Sequence, residues 1–493
     1  MQRIYMDANA TTPLLPEVFE AMRPFYLEHY GNASSIHQQG QHARAAVDHA
    51  RESIAKMLHC RPAEVVFTSG GTESDNLALF GVLAPGDHLI TTTIEHHAVL
   101  HAAQSLASRG VEVTFLPVTA QGIVEPATLL TALQPNTRLV SIMYANNETG
   151  VLEDVASIGS LCRERGIAFH CDCAQAAGKV RLALHELPID FAAFTAHKLY
   201  GPKGIGALYV REGARGLLQP LIYGGGQERN LRPGTPATHQ IVGFGAACEL
   251  AAQAIDAEGP RLTRLRERLW QGLAALGGAH LNGAAAPRLP GILNVSFEEV
   301  HGESLVGALS ALAVSTGSAC TSESAEPSYV LRALGRGTQL AQSSLRFSLG
   351  RPTLDADVDF AVGAVGEALA RLRALSPAAG ALDAPLHSSM GAPVPAAAVV
   401  SGEAGGRGQE TWVRFHLLIA GDTVKEARFQ AFACPHTTQV AAWLCRELRG
   451  RTREQLIPGT PSGWAQAHGV PAEKLGRLLV VEDALRACLA HWG

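Results

Sequence analysis

Short apolar runs alternate with helix-like segments over roughly the first 375 residues of this 493-residue chain, and this alternation restricts the fold more than any other feature. Short apolar runs are typical of buried strands, whereas apolar residues spaced three and four apart indicate amphipathic helices. The strand-like runs are residues 64–68, 87–92, 111–116, 138–143 and 167–171. Strands that alternate with helices predict an α/β domain with a mainly parallel sheet.

A second, smaller α/β unit follows in the sequence. Its predicted elements are a helix at residues 259–276, a strand at residues 292–297 and a helix at residues 355–375. We therefore expect a large domain at about residues 15–258 and a small domain formed by residues 1–14 and 259–378.

The composition changes after residue 375. Residues 379–409 are rich in Ala, Pro, Gly and Ser, which predicts a linker. Residues 410–493 form a third segment, in which the alternating runs WVRFHLLIA and VKEARFQAF flank the turn residues Gly421 and Asp422. This pattern predicts a β-hairpin, and the helix-like stretches after it predict a small α+β domain.

The bulk composition excludes several classes of protein. Hydrophobic residues make up 47% of the chain, which excludes a disordered protein, and the net charge of −5 does not favour a nucleic-acid or membrane-surface partner. No apolar run is long enough to span a bilayer, and the amino-terminal sequence shows no targeting pattern. We expect a cytoplasmic protein that contacts neither nucleic acid nor membrane.

Two polar residues that follow strand-like runs could serve catalysis. Lys198 follows FAAFT, and a lysine in an apolar site can lose its proton and form an imine, although a lone lysine is more often a surface residue. Asp172 ends GIAFHCD, where its carboxylate could hold a protonated pyridine nitrogen or simply cap the following helix.

Two stretches of small residues are further candidates. Residues 68–73, TSGGTE, lie between a strand and a helix and could cradle an anion with backbone N–H groups, or could be an ordinary capped helix start. Cys320 lies within the small polar run STGSACTS, which favours an exposed thiol over an inert one in the core.

Together these residues carry a family resemblance. Residues 1 to about 378 resemble the NifS/IscS-type cysteine desulfurases, class V aminotransferases among the fold-type I pyridoxal phosphate (PLP) enzymes. The matching strings are YMDANATTP, FTSGGTESDN, EHHAVL, NNETGV, HCDCAQAAGK, THQIVG, STGSACTSESAEPSYVLRALG and SSLRFSLGRPT. The resemblance implies a large domain with a mainly parallel seven-stranded sheet, a small α/β domain and bound PLP.

The resemblance also implies a role for each matching residue. Lys198 matches the Schiff-base lysine, Cys320 the cysteine that takes up sulfur, and His96 the histidine that stacks on the cofactor ring and moves protons. The residues that match the cofactor-binding set are Gly71, Thr72, His96, Asn147, Asp172, Gln175, Thr195, His197, Lys198 and Thr235.

Within this set, Asp172 matches the partner of the pyridine nitrogen, and Asn147 and Gln175 match the residues that bind the phenolic oxygen. Arg346 matches the arginine that binds the substrate carboxylate, with Asn147 beside it. Thr235 matches a threonine that reaches the phosphate of the neighbouring subunit, which implies a homodimer.

The implied reaction converts L-cysteine to L-alanine and leaves a persulfide on Cys320. The sulfur would pass to an acceptor protein such as an iron–sulfur scaffold. The alternative is a selenocysteine lyase or another PLP enzyme of the class V aminotransferase family.

Residues from about 410 to 493 resemble the IscU/NifU-type iron–sulfur scaffolds more weakly, through IAGDTVKEARFQAFACPHTTQVA and VVEDALRACLA. That family binds its cluster with three cysteines. Cys434 matches the middle one, but residues 403–408 hold no cysteine at the first position, and Arg477 stands near the third. Soft thiolates are what clusters and zinc need, so we expect no metal site.

Two interpretations of this segment remain open. Cys434 could accept the sulfur, or the segment could be a docking or regulatory module. Cys445 and Cys488 lie in apolar helix-like stretches, and we expect both in the core.

Overall fold

The computed structural model describes residues 4–300, 302–309, 311–316, 327–375, 398–406, 411–471 and 474–492. Cys320 and much of the predicted linker lie outside the described residues. The strands are β1 (Ile4–Tyr5), β2 (Val65–Thr68), β3 (His88–Thr92), β4 (Glu112–Leu116), β5 (Thr137–Ser141), β6 (Ala168–Asp172), β7 (Phe191–Thr195), β8 (Gly206–Val210), β9 (Ala279–Leu281), β10 (Ile292–Phe297), β11 (Leu312–Ala313), β12 (Ser315–Thr316), β13 (Ser344–Ser348), β14 (Ala398–Gly406), β15 (Thr411–Ala420) and β16 (Thr423–Phe432).

The helices between and after these strands are α1 (Pro16–Met22), α2 (Pro24–Leu27), α3 (Gln38–Leu58), α4 (Gly71–Val82), α5 (His97–Ala107), α6 (Pro126–Ala132), α7 (Val155–Glu164), α8 (Thr238–Ala274), α9 (Gly302–Ala308), α10 (Tyr329–Ala333), α11 (Thr338–Gln342), α12 (Asp355–Leu375), α13 (Pro435–Glu447), α14 (Pro461–His468) and α15 (Leu475–His491). Among the described residues, none of these helices is both long and apolar enough to cross a bilayer.

A seven-stranded sheet in the order β2-β8-β7-β6-β5-β3-β4 forms the centre of the large domain. All of its pairings are parallel except those of β8, which runs antiparallel to β2 and β7. The mainly parallel sheet is therefore confirmed. Strand β8 was missed because its sequence follows a glycine-rich turn, in which Gly204 adopts a positive φ of 84° and the chain reverses.

A smaller sheet in the order β12-β13-β10-β9 is antiparallel throughout, and β1 pairs with β11 beside it. The sequence predicted a new helix at residue 259, but α8 is continuous over 37 residues and contains Pro260. The predicted helix start was wrong, because one continuous helix passes from one core to the other. Phe244 packs in the core of the large domain and Leu269 in that of the small one.

The carboxy-terminal region contains a three-stranded antiparallel sheet, β14-β15-β16, together with α13, α14 and α15. The predicted hairpin is present, and the chain turns between β15 and β16 at residues 421–422. Buried side chains from β15 and the two longer helices form its core, among them Phe415, Leu444 and Leu485. Cys488 is fully buried, and Cys445 is partly buried against the same core, as predicted.

Part of the predicted linker is a strand, which corrects the assignment of residues 398–406, whereas residues 407–409 lie outside the described residues. Strand β14 pairs along its whole length with β15. A Cβ atom added to Gly402 would lie 2.2 Å from the backbone nitrogen of Cys488, so the glycine allows β14 to lie directly against α15. Glycine serves close packing here rather than flexibility, and composition alone cannot separate the two.

Candidate active site

A cavity of about 740 Å³ lies where the carboxyl ends of β6 and β7 meet the amino terminus of α4. Adjacent parallel strands bring their last residues to one edge of a sheet, which is where ligands bind in such folds. The predicted site residues that line this cavity are Gly71, Thr72, His96, Asn147, Asp172, Gln175, Thr195, His197, Lys198 and Arg346. The structure therefore brings together ten residues that the sequence places up to 275 positions apart.

Lys198 enters the cavity just after β7. It is half-buried, and its Nζ donates to the backbone carbonyls of Asn9 and Ala10, at 3.0 Å for Ala10. Both acceptors belong to the amino-terminal segment of the small domain. This segment holds the lysine amine at the cavity wall.

Asp172 and His96 provide a buried acid and a neutral base. Burial raises the pKa of Asp172, while His96 and Lys198 nearby act to lower it, and its Oδ1 accepts the N–H of Ala174 at 2.8 Å. Burial lowers the pKa of His96, which favours the neutral imidazole. Because Nδ1 of His96 accepts the N–H of Ala98 at 3.2 Å, the proton of the neutral ring is on Nε2.

Asn9 connects Asn147 and Gln175 through hydrogen bonds. Asn9 donates through Nδ2 to the carbonyl of Asn147 at 3.1 Å, and Gln175 donates through Nε2 to the carbonyl of Asn9 at 3.2 Å. Lys179 donates to Oε1 of Gln175 at 2.7 Å and so fixes the orientation of this amide. Oδ1 of Asn147 is buried and has no hydrogen-bond partner among the described residues.

The opposite end of the cavity is suited to an anion. The first N–H groups of a helix lack intrahelical acceptors, and α4 begins here at Gly71. Burial and the charges of Lys198, Lys203 and Lys179 lower the pKa of His197 to about 4. The local field is therefore positive where the helix N-terminus opens.

Arg346 on β13 is 4% exposed and provides a fixed guanidinium at the cavity wall. Its Nη2 donates to Oδ1 of Asp7 at 2.9 Å, and its Nη1 donates to the carbonyl of Asn147 at 3.0 Å. Ser315, its partner on β12, also lines the cavity. The chain thus leaves the described structure, one residue after Ser315, at the cavity edge, with Cys320 four residues further along.

Thr235 does not line this cavity. It is exposed and borders a separate cavity of about 200 Å³ together with Ser69 and Arg232. This is the only cofactor-binding candidate among the described residues that the structure leaves outside the main cavity.

Comparisons with known proteins agree with this geometry. Residues 4–360 match the family described as aminotransferase class-V. The cysteine desulfurase IscS of Methylococcus capsulatus is 52% identical over 379 residues, which cover 76% of this chain and 94% of that protein. The cysteine desulfurase IscS of Pectobacterium carotovorum is 50% identical over 381 residues, with the same coverage of 76% and 94%.

The chain belongs to the cysteine desulfurase family.

Two solved structures support this assignment at the level of the fold. A NifS-like protein superposes with a TM-score of 0.70 at 37% identity, covering 75% of this chain and all of that one. A structure described as SspA in complex with cysteine has a TM-score of 0.64 at 36% identity, covering 70% of this chain and 98% of that one. The matches confirm the fold-type I architecture, and the protein is a PLP-dependent cysteine desulfurase.

The cavity of this desulfurase fits PLP. Oδ1 of Asn147 is a buried polar atom with no partner among the described residues, as expected where a ligand completes the hydrogen bonds. A carboxylate, an amine and a positively charged helix N-terminus lie around the same space, and these match the ring nitrogen, the aldehyde and the phosphate of the cofactor.

Several residues of the desulfurase site escaped the sequence reading. Asp7, Asn9 and Lys179 form hydrogen bonds with predicted site residues, and the charge of Arg346 acts on Glu148, but these roles depend on contacts between distant parts of the chain. All four lie within the quoted strings YMDANATTP, HCDCAQAAGK and NNETGV, which was the available signal.

Cys434 lies in the carboxy-terminal region, where it caps α13. Its side chain is 1% exposed, and Sγ lies 3.2 Å from Oγ1 of Thr437. Burial acts to raise the pKa of this thiol, but the hydrogen bonds of Thr437 and the guanidinium of Arg477 outweigh burial and lower the pKa. In contrast, burial raises the pKa of Cys445 and of Cys488 to about 12.

Proposed function

We propose that Lys198, His96 and Cys320 are the catalytic residues of this desulfurase, with Arg346 as the main substrate-binding residue. The observation that carries this proposal is the convergence of the Lys198 amine, the Asp172 carboxylate and the Arg346 guanidinium on one cavity. Arg346 would bind the carboxylate of L-cysteine through two parallel hydrogen bonds, which orients the substrate at the lysine.

PLP, when bound, withdraws electrons from the substrate carbon that carries the amino group. Asp172 would hold its ring nitrogen, Asn147 and Gln175 its phenolic oxygen, and His96 would lie against its ring. The phosphate would contact Gly71, Thr72, Thr195 and His197. The lowered pKa of His96 keeps its ring neutral in the free site, so His96 would first take up a proton as a base and then return it from the imidazolium.

Cys320 would take up the sulfur. Its thiolate attacks the substrate Sγ, a sulfur–sulfur bond forms, and the bond between Cβ and Sγ breaks. The electron pair of the broken bond remains with the carbon skeleton, which gains protons and leaves as L-alanine. Cys320 is left as a persulfide. A second thiolate can attack its outer sulfur and take that sulfur over, which releases Cys320 as a thiolate.

A homodimer would complete the site. Thr235 is exposed at the edge of its own cavity, as expected for a residue that reaches a neighbouring subunit. Large apolar side chains are exposed on the same chain, including Leu27 at 80%, Ile36 at 89% and Tyr223 at 85%. In the proposed homodimer these side chains would be buried in the interface.

A single experiment tests the assignment of Cys320. The purified enzyme loaded with PLP is mixed with L-cysteine, alanine is measured, and persulfide is mapped by mass spectrometry. We expect alanine in step with sulfur on Cys320, and neither product above background for Cys320→Ser. If Cys320→Ser still forms alanine at the wild-type rate, the role of Cys320 is wrong. Persistent turnover of selenocysteine alone by that variant would support the alternative lyase.

For the carboxy-terminal region, we propose that Cys434 accepts sulfur from Cys320 and passes it to an acceptor protein for iron–sulfur cluster assembly. A lowered pKa favours the thiolate that attacks a persulfide, and of these three thiols Cys434 alone has one; because its side chain is 1% exposed, sulfur transfer would also require the start of α13 to open. Helix α13 comes within 8 Å of α9, Cα to Cα, and α9 belongs to the small domain. The resemblance to IscU-type scaffolds supports the same role.

Mapping sulfur on all cysteines after addition of L-cysteine tests this second role. We expect persulfide on Cys434 after Cys320, with Cys445 and Cys488 unlabelled as internal controls. The acceptor role would be wrong if the wild type carried sulfur on Cys320 alone and Cys434→Ser delivered sulfur to an added thiol acceptor at the wild-type rate. The carboxy-terminal region would then be a docking or regulatory module.

A further inference from the structure

The buried carboxyl group of Glu148 connects the active site to Ser328, which lies eight residues after Cys320 in the sequence. Ser328 is the cap of α10, and its Oγ accepts the N–H of Leu331 at 3.1 Å. The same Oγ donates to Oε2 of Glu148 at 2.5 Å. Ser328 and Glu148 are each 3% exposed, so water does not compete for this hydrogen bond.

The next residue, Tyr329, makes a second connection to the site. Its hydroxyl donates to the carbonyl of Glu95 at 2.6 Å, directly before His96. Its ring lies 4.9 Å from that of His97, between centroids. The start of α10 is therefore held from two loops that line the cavity.

The backbone of Glu148 is fixed independently of its side chain. Its N–H donates to Oδ1 of Asn146 at 2.9 Å, and its carbonyl accepts Nδ2 of Asn294 at 3.2 Å. The preceding residue, Asn147, lines the cavity and accepts Nη1 of Arg346. The carboxyl of Glu148 is thus placed between the substrate-binding arginine and Ser328.

The protonation of this carboxyl depends on its burial and its neighbours. Burial raises the pKa of Glu148 to about 7, although the hydrogen bond from Ser328 on α10 and the charge of Arg346 on β13 act to lower it. Arg346 is the charged group that faces it among the described residues, and its other neighbours, Asn146 and Asn294, do not titrate.

We propose that Glu148 is a positioning residue for sulfur transfer, which holds Ser328, and through it the end of the segment that carries Cys320, against the loop of Asn147. The inference rests on the proposed role of Cys320. When Glu148 is ionised, Ser328 donates a charge-assisted hydrogen bond, which is about twice as strong as a neutral one. When Glu148 is protonated, this connection weakens.

The test uses the PLP-loaded enzyme and the variant Glu148→Gln, which keeps the shape and removes the charge. Rapid quenching after mixing with L-cysteine gives the rate of persulfide formation on Cys320, from pH 5.5 to 8.5. The absorbance change of bound PLP on mixing reports the steps before sulfur transfer. The ratio of variant to wild-type rates cancels the titration of Cys320 itself.

We expect the variant to form persulfide about tenfold more slowly than the wild type above pH 8, and at about the same rate below pH 6. The absorbance change should keep its rate and its dependence on L-cysteine concentration. Ser328→Ala should reproduce the defect, and the double variant should be no slower than either single one, because both remove one interaction.

Glu153→Gln is the matched control. Glu153 is 6% exposed, and burial raises its pKa to about 7 as well, but it accepts the N–H of Val124 and does not contact Ser328. This variant should keep the wild-type pH profile.

Equal rates for Glu148→Gln and wild type at every pH, or the same defect in Glu153→Gln, would overturn the inference. Additive defects in the double variant would do so too. A wild type that forms no persulfide on Cys320 would instead overturn the proposed function, so the two failures are distinguishable.

Discussion

Two helix N-termini in this chain show how one element serves two kinds of chemistry. Helix α4 begins at Gly71 beside a cavity of about 740 Å³, whereas α13 begins after Cys434, whose Sγ lies 3.2 Å from Oγ1 of Thr437 in the first turn. The free N–H groups and the helix dipole favour negative charge in both places. At α4 the negative charge would be that of the cofactor phosphate, and at α13 the lowered pKa of Cys434 favours its thiolate form. What occupies the N-terminus, rather than the helix itself, decides the function.

The largest expected effect concerns the lysine on the α4 side of this comparison. Lys198→Ala should lower the rate of alanine formation from L-cysteine by at least about 1,000-fold, because the amine that would bind the cofactor covalently is lost. Alanine is measured with a thiol reductant present. Lys56→Ala, a change in the last turn of α3, is the control and should stay within about threefold of wild type. Comparable rates for both variants would contradict the assignment of the cavity.

Arg346→Lys tests the other wall of that cavity. The guanidinium is fixed by Asp7 and the carbonyl of Asn147, and a lysine cannot reproduce its two parallel hydrogen bonds to a carboxylate. We expect KM for L-cysteine to rise about 10- to 100-fold, with a smaller fall in kcat. Steady-state alanine formation gives both constants. A wild-type KM would show that the substrate carboxylate binds elsewhere.

Gly402→Ala tests the packing of β14 against α15, the helix that also contacts α13. The added methyl would meet the backbone of α15, so we expect a loss of about 1–3 kcal/mol of stability in the carboxy-terminal region. Amide hydrogen exchange in β14, β15 and β16 measures this loss of stability. The thermal transition of the PLP-binding part, followed by the absorbance of bound PLP, should occur at the wild-type temperature. Gly476→Ala, at a helical position with open space, is the control and should be neutral or stabilising.

Arg477→Met has the smallest expected effect and tests what lowers the pKa of Cys434 at the start of α13. Without the guanidinium, the pKa of Cys434 should rise, because the hydrogen bond and the positive charge of Arg477 both act to lower it. The rate of alkylation of Cys434 against pH, followed by mass spectrometry, measures the shift. Arg486→Met changes an arginine paired with Glu482 on the same helix and should leave the profile in place.

The sequence predicted the large domain well because the strands of a parallel sheet are buried on both faces and read as continuous apolar runs. Strand β2 begins one residue from the predicted start, and α12 has the predicted bounds. Strand β8 was missed because a glycine-rich turn precedes it. Strand β14 was read as linker because its glycines serve contact with α15.

The site could be predicted only where a motif carried it. Lys198, Asp172 and Arg346 stood in recognisable strings, and the structure brings them to one cavity. Lys179 and Glu148 act through partners that are identified only once the chain is folded, such as Ser328, which lies 180 positions from Glu148. Likewise, the sequence showed Arg477 in place of a cysteine, but not that its charge would reach Cys434.

The pairing of β14 with β15 determines where the carboxy-terminal region can be cut from the rest of the protein. A fragment that begins at residue 410 would lack β14 and expose the hydrogen-bonding edge of β15 over the nine residues that pair with β14. Such an edge pairs readily with other chains, so that fragment should aggregate. A fragment that begins before Ala398 keeps all three strands and the contact with α15, and is the one suited to binding and NMR studies of the isolated region.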